Sequence, residues 1–362
     1  MKEKAKISVI IPTYNRADYI GQTLLSILNQ TLCAYEIIIV NDGSLDNSLE
    51  IIDNTFNNWL RNQSDSSDIP KLKVITQANK GPASARNNGI KNSSGEILHF
   101  FDSDDIAAPN KHYEQYKKLI DSKADIVVSP WLKAVIEKAK INNKYIFEEA
   151  FDEKVIQQYG LPRGNLAKHL LTDWALISHA CLFKKEIVNK IGGFREDYYG
   201  TEDTLFLFDC ILAGAKFSFT NKTYILYRKN NIKLSAGKSS EKRHIYESAR
   251  LVIKMHQLAS ENGMNPSKYL LSKFWAWKLE RLFYKHLLPK DNIYLLLKKI
   301  ISPKSNIFWI IFQFLDSVNK KLLKIKTGSR YYPSFKCGSI LSSQVQIFES
   351  IGYYYKKSKD SF

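Results

Sequence analysis

Over the first hundred positions, short continuous apolar runs alternate with stripes of helical spacing. Lys6 to Ile11 is such a run, closed by Pro12, and it predicts a buried strand. Ile20, Leu24, Ile27 and Leu28 then share one helical face. Glu36 to Val40 predicts a second strand, ended by Asn41-Asp42-Gly43-Ser44, and Leu49, Ile52, Phe56 and Leu60 form the next helical stripe. Residues 61–70 are rich in Ser and Asp and predict a loop. Leu72 to Ile75 is a third strand. A helix can begin at Pro82 and run to about Lys91, and Ile97 to Phe101 is a fourth strand. Continuous apolar strands separated by helices predict a parallel sheet covered on both faces.

Sheets of this kind take ligands outside the carboxyl ends of their strands. Those ends are Pro12 to Asn15, Asn41 to Ser44, Gln77 to Gly81 and Asp102 to Asp105. All four are polar and two are acidic, so the candidate chemistry gathers on one edge of one sheet.

The most acidic end, Asp102-Ser103-Asp104-Asp105, follows directly on Phe100-Phe101. In an extended segment, residues two apart share a face, which would set Asp102 beside Asp104. Two carboxylates so close repel unless a cation sits between them. Hard oxygen ligands suit Mg²⁺ or Mn²⁺ bridging to substrate phosphates. The plainer alternative is a turn whose aspartates cap a helix near Pro109. At this sheet edge a metal is the expectation.

Composition narrows the classes. Apolar residues at 44% and charged residues at 25% fit a packed globular protein and exclude global disorder. The longest apolar run, Ile307 to Leu315, contains Gln313 and is about half of what a bilayer span requires. The apolar stretch near the N-terminus is too short for a secretory signal, so a cytoplasmic protein is expected. Cys33, Cys181, Cys210 and Cys337 show neither a disulfide framework nor zinc spacing, and each is expected to be a small buried hydrophobe. The net charge of +17 is uneven. Ile245 to Phe362 holds 20 Lys/Arg against 7 Asp/Glu, a net of +13, which leaves +4 for the first 244 residues.

Five segments together resemble the family 2 glycosyltransferases, nucleotide-sugar-dependent enzymes of the GT-A fold. They are Ser8 to Arg16, Val40 to Ser44, Asn79 to Asn87, Phe101 to Asp105, and Glu202-Asp203, in the family's order over about the first 230 residues. The resemblance implies a Rossmann-like α/β domain, with a mixed, mostly parallel sheet flanked by helices, over residues 1–240. Its nucleotide-sugar half would cover about 1–130 and its acceptor half about 131–240. A basic α-helical region would occupy 241–362.

The resemblance also implies roles. Pro12, Tyr14 and Asn15 line the base pocket, and Asp42 accepts from the ring N–H of the base. A carboxylate acceptor suits a uracil-type imide edge, so a UDP-sugar is favoured by family habit, with TDP sharing that edge. Arg86 lies near the base or diphosphate. Asp102 reaches the ribose or the metal, and Asp104 holds Mn²⁺ or Mg²⁺ against the diphosphate. Gly193, Phe194 and Glu202 form the acceptor side, and Asp203 is the general base of an inverting transfer. Without the resemblance, Glu202 and Asp203 read as acids favoured at a helix N-terminus. Trp174 and His179 read as core and structural residues. The family often shows an Arg followed two residues later by a His. Here Arg228 is present, but Asn230 stands at the His position.

Two further helices are expected beyond 264. One begins at Asn265-Pro266, carries Trp275 and Trp277, and ends at Pro289. Ile307 to Leu322 is the other, followed by Lys324, Lys326 and Arg330. A Trp/Phe-rich face beside lysines reads either as an interfacial helix on an anionic membrane or as an ordinary appendage with solvated lysines. Expected partners are a nucleotide diphosphate sugar, a glycan or lipid-linked saccharide acceptor in cell-surface polysaccharide synthesis, and on the first reading the cytoplasmic membrane face. Charge alone also admits a nucleic-acid binder, but no motif of that class appears, so no nucleic acid is expected. A catalytically idle nucleotide-binding relative is the other alternative, and the retained Asp102, Asp104 and Asp203 argue against it.

Overall fold

The structure, a computed structural model, describes residues 5–63, 69–135, 139–141, 144–148, 161, 164–172, 176–229, 241–264 and 354–356. The elements in chain order are β1 (Ile7–Thr13), α1 (Ile20–Leu28), β2 (Glu36–Asn41), α2 (Ser48–Arg61), β3 (Lys71–Thr76), α3 (Pro82–Asn92), β4 (Ile97–Phe100), β5 (Ile106–Ala107) and α4 (Lys111–Ser122). Next come β6 (Ile126–Val128), β7 (Trp131–Val135), β8 (Ala139–Ile141), β9 (Lys144–Glu148), α5 (Leu166–Thr172), a 3₁₀ turn (Ser178–Ala180), β10 (Cys181–Lys184), α6 (Lys185–Ile191) and α7 (Glu202–Leu212). The last are β11 (Phe217–Phe219), β12 (Ile225–Lys229), α8 (Glu241–Glu261) and β13 (Tyr354–Lys356).

The chain divides into two compact units. Met1–Leu161, Leu176–Ser235 and Lys336–Phe362 form the first; Pro162–Ala175 and Ala236–Phe335 form the second. The first is built on a seven-stranded sheet of order β11-β6-β10-β4-β1-β2-β3. Pairing is parallel throughout except at β10, which runs antiparallel between β4 and β6. Two three-stranded sheets accompany it, β5-β12-β7 and β13-β9-β8.

The four expected strands are β1 to β4. β1 and β2 are fully buried along their length, as continuous apolar runs in a covered parallel sheet should be. One face carries Val9, Ile11, Ile37 and Ile39 against Ile20, Leu24 and Ile27 of α1. On the other face, Gly89 of α3 lies flush on β1. A Cβ there would come within 2.3 Å of Ile10 Cγ2, so only glycine allows this approach. The expectation of two covered faces fails at β3. It is an edge strand, with Lys71, Lys73 and Thr76 exposed and Val74 at 39% exposure. Cys181 and Cys210 are buried as expected, whereas Cys33 is half-buried.

In the second unit, α5 and the 21-residue α8 are the described helices. The expected helices at 265–289 and 307–322, and Asn230, lie outside the described residues. Among the described residues, no helix is long and apolar enough to cross a membrane.

Candidate active site

The carboxyl ends of β1, β2 and β3 are knitted into one ledge. The Asp42 N–H donates to Thr13 O (2.8 Å) and the Gln77 N–H to Asn41 O (2.9 Å), which carries the ladder past the strands. Asn15 adopts a left-handed φ of 50°, a conformation Asn tolerates better than most residues. From there its Oδ1 accepts from the Leu45 N–H (2.8 Å), while its own N–H donates to Ser44 Oγ (3.0 Å). Asp42 is buried, and its carboxylate accepts from Gln77 Nε2 (2.8 Å), the Lys80 N–H (2.9 Å) and the Gly81 N–H (2.8 Å). A carboxylate offers about four acceptor positions, so one remains. Pro12 is buried within β1, and Tyr14 is 38% exposed on this ledge.

After β4 the chain turns instead of running on extended. The Asp105 N–H donates back to Asp102 O (3.2 Å), so the three aspartates sit on a turn, with Asp102 and Asp105 both facing His179. The extended segment expected there is a turn, because the strand geometry ends where β4 ends. Asp102 meets Arg86 and His179. Asp104 lies 3.4 Å from Arg16 Nε. Asp105 turns inward, where its Oδ1 accepts from the Arg228 N–H (2.9 Å).

His179 arrives on the 3₁₀ turn before β10. Its Nδ1 lies 2.9 Å from Asp102 Oδ2 and its Nε2 3.2 Å from Asp105 Oδ2. Its ring stacks on Tyr227 at 5.6 Å and 3°. Burial alone would lower the His179 pKa, but the charges of Asp102 and Asp105 outweigh it and raise it to about 9. Burial opposes the Asp102 charge, and His179 with Arg86 reverses that, holding Asp102 well below the usual carboxylate range. Asp105 goes the other way, with burial pushing it well above that range despite His179. For Asp104, burial again leads and the shift is upward, against the pull of Arg16.

The donor set fits a divalent ion. One ligand atom each from Asp102, Asp105 and His179 lies within 4.8 Å of the others, and Asp105 Oδ2 is buried without a hydrogen bond among the described residues. Carboxylate oxygens are the ligands Mg²⁺ and Mn²⁺ prefer.

Opposite this turn, α7 begins with Glu202 and Asp203, and Arg86 of α3 reaches both. Arg86 Nη1 is 3.0 Å from Glu202 Oε1 and 3.3 Å from Asp203 Oδ1; Nη2 is 2.7 Å from Asp102 Oδ1. The Arg86 side chain is 4% exposed, and its guanidinium lies 5.2 Å from the centre of the Phe194 ring. Phe194 itself is buried, stacked on Phe206 at 3.9 Å. Gly193 precedes it at φ +83°. Burial raises the Glu202 pKa against the charge of Arg86.

The structure thus brings Asp102, Glu202, Asp203 and Arg86 together, with Phe194 beneath Arg86. Pro12, Tyr14, Asn15 and Asp42 form the separate ledge. Arg228 is buried in β12, donating to Gln22 Oε1 (2.6 Å) and Thr23 Oγ1 (3.2 Å), with Tyr19 5.4 Å away. Sequence reasoning gave Asp105 no role of its own and took His179 for a structural residue. No local signal marks His179, because its partners are 74 and 77 positions earlier.

Residues 8–192 match the family model Glycosyl transferase family 2, and the chain belongs to that family. It is a glycosyltransferase of the GT-A fold, with a mixed, mostly parallel sheet. Glycosyltransferase GlyA of Streptococcus pneumoniae is 30% identical over 228 residues, covering 62% of this chain. The match spans only 30% of the length of GlyA. The cholesterol galactosyltransferase of Borreliella burgdorferi is 27% identical over 75% of this chain and 73% of its own. Among solved structures, S. aureus TarS 1–349 in complex with UDP-GlcNAc superposes with a TM-score of 0.52 at 21% identity, covering 84% of this chain and 78% of that one.

Proposed function

We propose that this glycosyltransferase moves a sugar from a nucleotide diphosphate, UDP favoured, to a hydroxyl with inversion at the anomeric carbon. The observation that carries the reading is the meeting of Asp102, from the end of β4, with Asp203, from the start of α7, on the single guanidinium of Arg86. Donor-side and acceptor-side carboxylates then flank one reaction centre.

The nucleotide base would lie on the ledge of Pro12, Tyr14 and Asn15. The acceptor position left on Asp42 suits an imide N–H. Asp102 and Asp104 would hold Mn²⁺ or Mg²⁺, with Asp105 and His179 beside them. A divalent ion there supplies charge neutralisation for the leaving diphosphate. Asp203 takes the proton of the acceptor hydroxyl at a carboxylate oxygen as that hydroxyl attacks the anomeric carbon. A placed base of this kind contributes roughly 10²- to 10⁴-fold. Glu202 and the Gly193-Phe194 segment bound the acceptor side.

A glycan or lipid-linked saccharide is the proposed acceptor, in cell-surface polysaccharide synthesis at the cytoplasmic membrane face. The +13 net charge of residues 245–362 supports contact with an anionic surface. A relative named for transfer to cholesterol supports a lipid-bearing acceptor. The division at 1–240 and 241–362 belongs to the same proposal, the second part being the membrane-facing one.

The test is nucleotide release from a panel of UDP-, dTDP- and GDP-sugars with Mn²⁺ present. Release from a UDP-sugar that Asp203→Asn abolishes is the expected result. No release from any donor, with and without lipid extract as acceptor, would overturn the reading.

A further inference from the structure

Arg86 was expected to touch the nucleotide sugar, yet both of its Nη atoms are committed to protein carboxylates and the side chain is 4% exposed. We propose that Arg86 is a positioning residue, a three-way latch that fixes the base Asp203 and its neighbour Glu202 relative to the donor-side Asp102. The inference rests on the glycosyl-transfer reading for its kinetic consequence, while its geometric consequence stands apart from it.

The three acids come from two segments about a hundred residues apart, and no helix or strand joins Asp102 to Glu202 and Asp203 directly. A guanidinium is the side chain suited to this task. It is planar and always charged, and its donors lie in a fixed fork, so Asp102 and Glu202, which accept its hydrogen bonds, are held in direction as well as distance, and Asp203 is held by charge at 3.3 Å. The Phe194 ring closes the apolar side of that fork.

The latch is asymmetric. Asp102 has a second partner, His179, whose Nδ1 lies 2.9 Å from its other oxygen. Glu202 and Asp203 have no ion-pair partner besides Arg86 among the described residues. Weakening Arg86 therefore leaves Asp102 held and releases the base side. The loss falls on turnover and not on donor affinity. A misplacement of about 1 Å at a reacting group can lower the rate about a hundredfold.

Arg86→Lys keeps the charge but replaces the fork with a single ammonium. Glu202→Gln removes one arm and leaves Arg86 in place, which guards against a variant that merely fails to fold. With the UDP-sugar giving the greatest release in the panel, Arg86→Lys should lower kcat about a hundredfold while donor KM and UDP affinity by calorimetry stay within about twofold. Glu202→Gln should lower kcat less, and the double variant no further than Arg86→Lys alone, as for groups acting in one network. In a crystal structure of Arg86→Lys, the Asp203 carboxylate should be displaced with Asp102 unmoved. A rise in donor KM with kcat unchanged would make Arg86 a donor contact and overturn the proposal. Fully multiplicative effects in the double variant, or an Asp203 that keeps its place in the crystal, would overturn it too. The crystal result holds even if no donor is turned over, so it separates failure of the latch from failure of the transfer reading.

Discussion

The side-chain amide of Asn87 grips the backbone of Phe194 at both ends. Its Nδ2 donates to Phe194 O and its Oδ1 accepts from the Phe194 N–H, each at 2.8 Å. Asn87 follows Arg86 on α3, so neighbouring residues of one helix fix the loop before α7 and the acids that open it. Phe194 then stacks on Phe206 of α7 and lies edge-on to Phe100 of β4 at 4.9 Å. The aromatic packing ties Phe194 and α7 to the central sheet.

Gly193 is the hinge of this grip. It sits at φ +83°, and a Cβ there would lie 2.6 Å from Asn87 Oδ1, the atom that accepts from Phe194. Gly192 has a similar φ of +76° with nothing within 4 Å of its would-be Cβ. Gly192→Ala should cost about 1–2 kcal/mol for the left-handed backbone alone. Gly193→Ala should cost more, by about 1 kcal/mol for the lost hydrogen bond, and should also lower turnover. Chemical unfolding of both variants checks this, and equal losses would mean that the Asn87 contact contributes nothing.

Asp203→Asn should lower turnover by about 10²- to 10⁴-fold and leave UDP binding unchanged. The amide keeps the shape of the side chain and can still pair loosely with Arg86, but it cannot take a proton at neutral pH. Calorimetric UDP titration beside nucleotide release separates the two effects. Loss of UDP binding in step with turnover would remove Asp203 from the role of base.

Asp104→Ala should weaken Mn²⁺ binding with little effect on stability. Asp104 is partly exposed and lies 3.4 Å from Arg16, and removing it leaves no uncompensated charge deep in the core. His179→Ala, by contrast, should destabilise the fold. It removes the ring that lies between Asp102 and Asp105 and stacks on Tyr227, and leaving buried polar groups unpartnered costs about 1–3 kcal/mol. Electron paramagnetic resonance of Mn²⁺ added to the free protein reads the first effect, and thermal unfolding the second. Wild-type Mn²⁺ affinity in Asp104→Ala would move the ion to Asp102, Asp105 and His179 alone.

The sequence made β1, β2 and β4 legible because each is a mostly apolar run buried on both faces. β3 was found as a strand, but its exposure was not foreseen. Edge position depends on what fails to pair beside it, and no local pattern records that. β6, β10 and β11 hold only three or four residues each, and they join the sheet through partners far along the chain. The site followed the same division. The ledge around Asn15 and Asp42 is local turn chemistry and could be read. The burial of Arg86 could not, since a charged residue on a helix usually faces water, and only three distant acids make its position stable.

Glu36 offers a test outside the site. It opens β2 fully buried, where burial alone would raise its pKa. Ser8 Oγ at 2.7 Å, the Ser94 N–H at 2.6 Å, Lys73 Nζ at 2.9 Å and Ser94 Oγ at 2.8 Å all donate to it and bring it down to about 2, from an ordinary 4.5. The folded state therefore binds this proton more weakly than the unfolded chain does. The resulting stabilisation is complete above pH 4.5 and is lost as pH falls toward 2. It amounts to about 3 kcal/mol at most. Glu36→Gln should be less stable than the wild type at pH 7, since an amide cannot accept all four donors. The gap should close steadily as pH falls through that window. Urea unfolding at intervals from pH 7 to pH 2 measures it, and a gap that stays constant across the series would mean that the buried carboxylate is not what the four donors stabilise.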